Sequence, residues 1–420
     1  MKYLYELPYG KGKLQFEILT DSQPYVIEPA SSAASPMPAE AVRYALENPV
    51  GGFDIRAFKN ARSVAIAIND KTRPVPYQHM LPPLLDWLHD NGICRENIIF
   101  YIATGVHAPM LESEFASILP SEVLENFVVV SHNCDDRSLL LDIGYTHLST
   151  PVFINRDFFL SDLKIVTGNI EPHHFMGFSG GTKSASIGLA GRQTINSNHA
   201  MLVNPLARIG EYSNNPMRQD VEEIGDMIGV HLAVNVILNG DKQIVAAYSG
   251  APRPVMLAGI PMCRQVCQVK APQLFDIVIA SPGGHPKDIN FYQAQKALTN
   301  ASQIVKEGGA IILAAACPEG SGSAAFEAFL TGVGSYSDVF KKFEQQGFSV
   351  GPHKAFQVAK IAERAQIILV SEMETELAKK LLVTPCKTID AAFQMAMTQI
   401  SQAPETAIFP RAINTIPLLS

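Results

Sequence analysis

The chain has 420 residues, more than one hydrophobic core usually organises, so two domains are expected. Hydrophobic residues make up 47% and charged residues only 17%, against roughly 25% charged in an average soluble domain, which favours a compact fold with deep interior surfaces over a disordered chain. The net charge of −7 contains no Lys/Arg run and no basic–aromatic interleaving, so nucleic acid is not an expected partner.

The first 19 residues, MKYLYELPYGKGKLQFEIL, alternate apolar and polar side chains as a hairpin does. They lack an uninterrupted apolar stretch with a small-residue cleavage site, so they read as mature structure. A Ser/Ala/Pro-rich loop follows at 29–38. From there short apolar runs alternate with amphipathic helical segments, the pattern of parallel βαβ units. Strands are expected at 63–68, 97–103, 127–131, 163–166, 275–280, 310–315 and 365–370. Residues 231–248 read as a hairpin with Asn239-Gly240 supplying a two-residue turn, and 251–270 as a helix. Ala271-Pro272 marks the expected boundary between an N-terminal α/β domain, 1–271, and a C-terminal α/β domain, 272–420, whose last residues are free to return to the first. The longest apolar stretches, such as 310–316, fall far short of the roughly 20 residues that cross a bilayer, so no membrane span is expected. Six cysteines are scattered, and the one close pair, Cys263 and Cys267, has neither redox nor usual zinc spacing; a reducing cytoplasm suits them.

Several of these strands run straight into small and reactive residues. Asp70-Lys71-Thr72-Arg73 follows the first and Thr104-Gly105-Val106-His107 the second. Thr167-Gly168-Asn169 leads to Glu171-Pro172-His173-His174, and Ser281-Pro282-Gly283-Gly284-His285 follows the strand at 275–280. Ligands of open α/β sheets bind outside the carboxyl ends of strands, so these four loops are expected to meet there. Gly177-Phe178-Ser179-Gly180-Gly181-Thr182-Lys183-Ser184 has the composition of an anion-holding loop, or of a tight strand-to-helix turn. It is not a Walker loop, because Thr182 stands where that pattern needs glycine. His173, His174 and His199 around it point to catalysis or metal binding, yet no zinc-type spacing such as H-E-x-x-H completes a metal sphere. Arg73 could grip a carboxylate bidentately or tie down a turn with Asp70. His107 ends a strand as either a general base or a capping residue. Gln293 and Lys296, three apart on a helix expected to begin near Ile289, share one face.

Taken together, DKTRPVP at 70–76, TGVH at 104–107, GNIEPHH at 168–174, GFSGGTKS at 177–184, NH at 198–199 and YQAQK at 292–296 resemble the lactate racemase family of nickel-pincer-nucleotide enzymes. The resemblance runs through nearly the whole chain. It implies two α/β domains with an active-site cleft between them, and racemisation or epimerisation of a 2-hydroxy acid through a 2-keto acid. It also implies a pyridinium-3,5-bisthiocarboxylic acid mononucleotide nickel cofactor, made by separate biosynthetic enzymes and joined covalently to Lys183. Because that cofactor supplies three donors to nickel, His199 would suffice as the single protein ligand. Ser179, Gly180 and Gly181 would hold the nucleotide phosphate. His107 and His173 would be the paired acid/base residues, with His174 in support. Arg73, Gln293 and Lys296 would bind the substrate carboxylate, while Asp70 and Tyr292 shape the pocket, Asp70 on its cofactor side.

Three departures from the family pattern leave the substrate open. Ala108 replaces the arginine of T-G-x-H-R-P, Ile187 replaces the proline of S-x-x-P-G, and Phe356 falls where a pocket-lining aromatic is expected and lactate racemases proper prefer tryptophan. Two other classes compete: a nucleotide-dependent phosphotransferase using GFSGGTKS as an atypical phosphate loop, and a non-catalytic nucleotide-binding protein. The first lacks an evident Mg²⁺ carboxylate pair, and the second has no need of paired histidines on separate strand ends.

Overall fold

A computed structural model describes residues 1–29, 31–348, 351–400 and 403–419. The chain divides into two compact units, one of residues 30–266 and one formed by 1–29 together with 267–420. The expected division at 271/272 differs from this in two places. The boundary falls at the end of the Pro252–Cys267 helix, and the N-terminal hairpin joins the C-terminal half. The cause is apolar. Leu7, Phe16 and Ile18 of the hairpin share a buried cluster with Ile277, Ile279, Ile312, Ile368 and Phe393, covering one face of the second sheet. The C-terminal Ile416–Leu419 strand stays in this unit too, pairing with Gln268–Ala271.

Residues 30–266 are built on a six-stranded sheet in the order Ile244–Gly250, Leu232–Leu238, Leu163–Asn169, Val64–Asn69, Ile98–Ala103, Val128–Ser131. All neighbours are parallel except the first pair. VAIAIN at 64–69 and LKIVTGN at 163–169 are buried almost throughout, as strands covered on both faces must be. The other unit carries a second six-stranded, all-parallel sheet in the order Thr384–Cys386, Gln366–Val370, Val305–Ala314, Phe275–Ala280, Thr406–Phe409, Tyr25–Val26. The hairpin expected at 231–248 forms, but through a longer connection than the two-residue turn. Asn239 Oδ1 accepts from the amides of Asp241 and Gln243, and Lys242 takes a positive φ of 64°. Among the described residues, no helix is long and apolar enough to cross a membrane.

One packing detail makes stability depend on pH. His231 Nδ1 accepts the Lys164 amide at 3.0 Å, and burial, with the Lys164 ammonium nearby, lowers the imidazole from 6.5 to about 4. The unfolded chain therefore takes a proton between these values that the folded chain refuses. The stabilisation is complete above about pH 6.5 and is lost as pH falls toward 4. His231→Asn keeps an acceptor but cannot titrate, so denaturation midpoints measured at pH 7 and pH 5 are expected to differ less in this variant than in the parent chain.

Candidate active site

The order of the first sheet reverses direction beside the Val64–Asn69 strand. The next two strands lie on one side of it, whereas Leu163–Asn169 lies on the other. A crevice at the carboxyl ends of such a pair is where open α/β sheets bind ligands. Asp70 and Thr72 leave one of these strands, Gly168 and Asn169 end the other, and Gly168 has the Asn69 and Asn235 side chains within 4 Å of where a Cβ would stand. The fourth expected loop, 281–285, belongs to the other unit. There Ser281 Oγ donates to Pro8 O and the His285 amide to Gly10 O, so it braces the N-terminal hairpin.

Asp70 is buried and His107 half-exposed, with Nδ1 to Oδ2 at 2.6 Å. The other carboxylate oxygen accepts from the Thr72 hydroxyl at 2.7 Å and the Thr72 amide at 3.1 Å. Burial alone would raise the Asp70 carboxyl, but the hydrogen bond and charge of His107, the Thr72 hydroxyl and the Arg73 guanidinium outweigh it and hold the group below its ordinary value. The side-chain contacts of Asp70 are therefore with Thr72 and with His107 of the TGVH loop. The TGVH loop is in turn fastened to the Gly-rich segment, because the Gly105 amide donates to Gly188 O at 2.9 Å. Ile187 in that segment donates its own amide to Lys183 O at 3.0 Å, a bond that a proline there could not make.

Gly180 and Gly181 adopt φ of 92° and 59°, and a Cβ on either would stand 2.8 Å from Ile170 or from Arg218 and Met256. Larger residues are excluded on both counts. The loop's amides are only partly available to an anion. That of Ser179 goes to Glu171 O and that of Gly181 to Asn235 Oδ1. Ser179 Oγ, by contrast, is buried and has no hydrogen-bond partner among the described residues. A buried hydroxyl left in this condition suits a bound group such as a phosphate.

A feature with no clear sequence signal sits beneath the loop. Arg218, on the Pro216–Ile228 helix, is completely buried and donates to Phe178 O and Gly180 O, both at 3.0 Å, while its Nε bonds Glu222 at 2.9 Å. Tyr212 donates its hydroxyl to the same carboxylate. The helix's N-cap, Asn215, donates to Phe175 O, and Asp220 accepts from the side chains of Asn198, Thr146 and Thr150. One helix thus holds the Gly-rich loop, the His173–Phe175 segment and the residue next to His199. The stretch NPMRQDVE showed only an N-cap followed by proline, a helix start.

The rings of His173, His174, Phe175 and His199 form a chain of contacts: 4.8 Å between the first two, and 5.2 Å from Phe175 to His199. His173 is buried, and its Nδ1 accepts the Met176 amide. His199 is half-buried in the last turn of the Arg192–Ala200 helix. Among the described residues no group of three or more His, Cys, Asp or Glu side chains could hold a metal ion. A metal on His199 would therefore need some of its donors from outside these side chains.

In the other unit, Tyr292 and Gln293 lie on Phe291–Ala294, a helix starting two residues later than expected, and Lys296 begins the next, Lys296–Ala301. Lys296 Nζ donates to Gln293 Oε1, so the two form one polar pair. Phe356 lies on the Pro352–Ala362 helix. It packs against Phe340 and Phe343, with ring centroids at 5.4 and 4.8 Å, as part of an apolar cluster. Its helix-mates His353 and Lys354 are the residues that meet Tyr292, the first edge-on to the ring at 6.2 Å and the second with Nζ 5.5 Å from its centroid. Burial pushes the Tyr292 hydroxyl up to about 12.

Comparison with known proteins finds similarity along nearly the whole chain. The lactate racemase N-terminal domain family model matches residues 9–210, and the lactate racemase C-terminal domain family model matches residues 270–416. A lactate racemase of Thermoanaerobacterium thermosaccharolyticum is 31% identical, covering 98% of both chains, and one of Lactiplantibacillus plantarum is 29% identical, covering 98% of this chain and 99% of its own. The solved apoprotein structure of the Thermoanaerobacterium lactate racemase superposes with a TM-score of 0.92 at 30% identity, covering 99% of this chain and all of that one. A Thermotoga maritima protein, at 16% identity and a TM-score of 0.71, shares the fold.

Proposed function

The chain belongs to the lactate racemase family, and from that premise we propose that it interconverts the stereoisomers of a 2-hydroxy acid with a nickel-pincer nucleotide tethered at Lys183. The observation that carries this reading is the junction at the sheet's reversal point, where the His107 loop, the Gly-rich loop with Lys183 and the His173–His199 ring cluster are tied together. The residues fit the group: a buried Ser179 hydroxyl with no partner among the described residues and two glycines with no room for a Cβ suit a phosphate, and His199 offers one imidazole to a metal otherwise held by its own nucleotide. When bound, such a cofactor supplies an acceptor and donor of hydride for the substrate's α-carbon.

The remaining chemistry falls to side chains of this protein. One of His107 and His173 takes the hydroxyl proton as the α-carbon becomes planar, and the other gives a proton when the opposite face is reduced. The Arg73 guanidinium, at the same end of the sheet as His107, would hold the carboxylate. Six scattered cysteines with neither redox nor usual zinc spacing suit the reducing cytoplasm in which we place the enzyme, and separate cofactor-making enzymes would be its partners in activation.

The test is to produce the protein together with enzymes that make the cofactor, then to measure intact mass and nickel. A mass adduct lost in Lys183→Ala, with about one nickel per chain, is expected; an unmodified chain without nickel would remove the proposal. An α-deuterated substrate racemised in ordinary water is expected to keep its deuterium, whereas extensive wash-out would mean α-proton abstraction instead.

A further inference from the structure

We propose that Asp70 is a positioning residue that fixes the tautomer of His107, and that it does not contact the cofactor. This rests on His107 being an acid/base residue, as proposed above. A carboxylate can only accept hydrogen bonds, so the 2.6 Å contact requires the proton to sit on Nδ1 of His107. Nε2, on the far side of the ring, then keeps its lone pair for a substrate hydroxyl. The second oxygen of Asp70 is equally engaged, by the hydroxyl and the amide of Thr72, which locks the carboxylate plane toward the imidazole. Thr72 Oγ1 also lies 3.4 Å from His107 Nδ1, at the margin of a hydrogen bond, so the three groups form one closed cluster at the strand end. With 4% of its surface exposed and both oxygens occupied, Asp70 has little left to offer a nucleotide.

The imidazole gains more than orientation. After taking the hydroxyl proton, His107 is a cation held against a buried carboxylate, where attraction is screened less than in water. The neutral ring before proton transfer makes the same hydrogen bond without that charge interaction. Asp70 therefore faces the ring both before and after proton transfer.

Two variants separate this role from simple structural support. In Asp70→Asn the amide can donate to Nδ1, which would drive the ring to the Nε2–H tautomer and put the proton where the base should be. In Asp70→Glu the carboxylate remains. The readout is nitrogen NMR of ¹⁵N-histidine-labelled protein without cofactor, at a pH where the imidazole is neutral, with His107 assigned from the spectrum of His107→Gln. The parent chain is expected to show the Nδ1–H tautomer, Asp70→Asn to move His107 to Nε2–H, and Asp70→Glu to retain Nδ1–H. An Nε2–H ring in the parent chain, or an unchanged tautomer in Asp70→Asn, would overturn the inference.

The loaded enzyme provides a second readout. Racemisation by Asp70→Asn is expected to fall about 10²- to 10⁴-fold with the Lys183 adduct and nickel content unchanged. Loss of the adduct would instead make Asp70 a cofactor contact and defeat the proposal. If the parent chain racemises nothing, the functional reading fails while the NMR result still decides the tautomer.

Discussion

Replacing His107 or His173 singly with glutamine is expected to lower racemisation about 10²- to 10⁴-fold, and to do so starting from either stereoisomer. Glutamine keeps a polar side chain of similar reach but can neither take nor give a proton near neutral pH. The symmetry of the loss follows from the reaction. Whichever residue acts as base in one direction acts as acid in the other, so neither direction has a route that avoids the missing group. A defect confined to one starting stereoisomer would contradict the paired assignment, and so would near-normal rates in either variant. The measurement is chiral chromatography of both reactions, with the Lys183 adduct quantified by mass so that poor loading is not mistaken for poor catalysis. His174→Gln provides the contrast. Its ring stacks on His173 at 4.8 Å and meets Phe175, a supporting contact, so its loss is expected to be much smaller.

The part of this site legible in the sequence was the part encoded by local pattern. Buried parallel strands appear as continuous apolar runs, and Phe275–Ala280 begins and ends where expected. The reactive residues directly after such strands were readable for the same reason, since a strand end fixes where the next few side chains emerge. What escaped was long-range pairing. Nothing local says that the hairpin at 2–19 covers a sheet built mostly from residues beyond 274, or that Tyr25–Val26 joins that sheet as an edge strand, because an amphipathic hairpin suits any apolar face. Phe356 looked like a pocket aromatic from its place in GPHKAF. Its ring contacts with Phe340 and Phe343, and those of His353 and Lys354 with Tyr292, join residues that no local pattern pairs. Asp70 was recognised as important, but which group it touches depends on a loop 37 residues away.

Removing the Glu222 carboxylate is expected to be among the most damaging single changes in the chain, although Glu222 touches neither cofactor nor substrate in the proposed reaction. Glu222→Leu would leave the Arg218 guanidinium at zero exposure with its charge uncompensated, a situation that costs about 3–5 kcal/mol. Arg218→Met is expected to be nearly as costly, since it strands the Glu222 carboxylate with only Tyr212 and releases Phe178 O and Gly180 O. Combining the two substitutions removes both charges and is expected to recover much of the stability, because a buried pair replaced as a unit by apolar side chains is often neutral. Urea denaturation of the four proteins closes the cycle, and additive single effects would show that the pair does not act as one. Function separates from stability in the double variant. Its apolar side chains cannot donate to the carbonyls of Phe178 and Gly180, so the Gly-rich loop is expected to lose its fixed shape. The Lys183 adduct should then fall well below that of the parent chain even where the fold is restored.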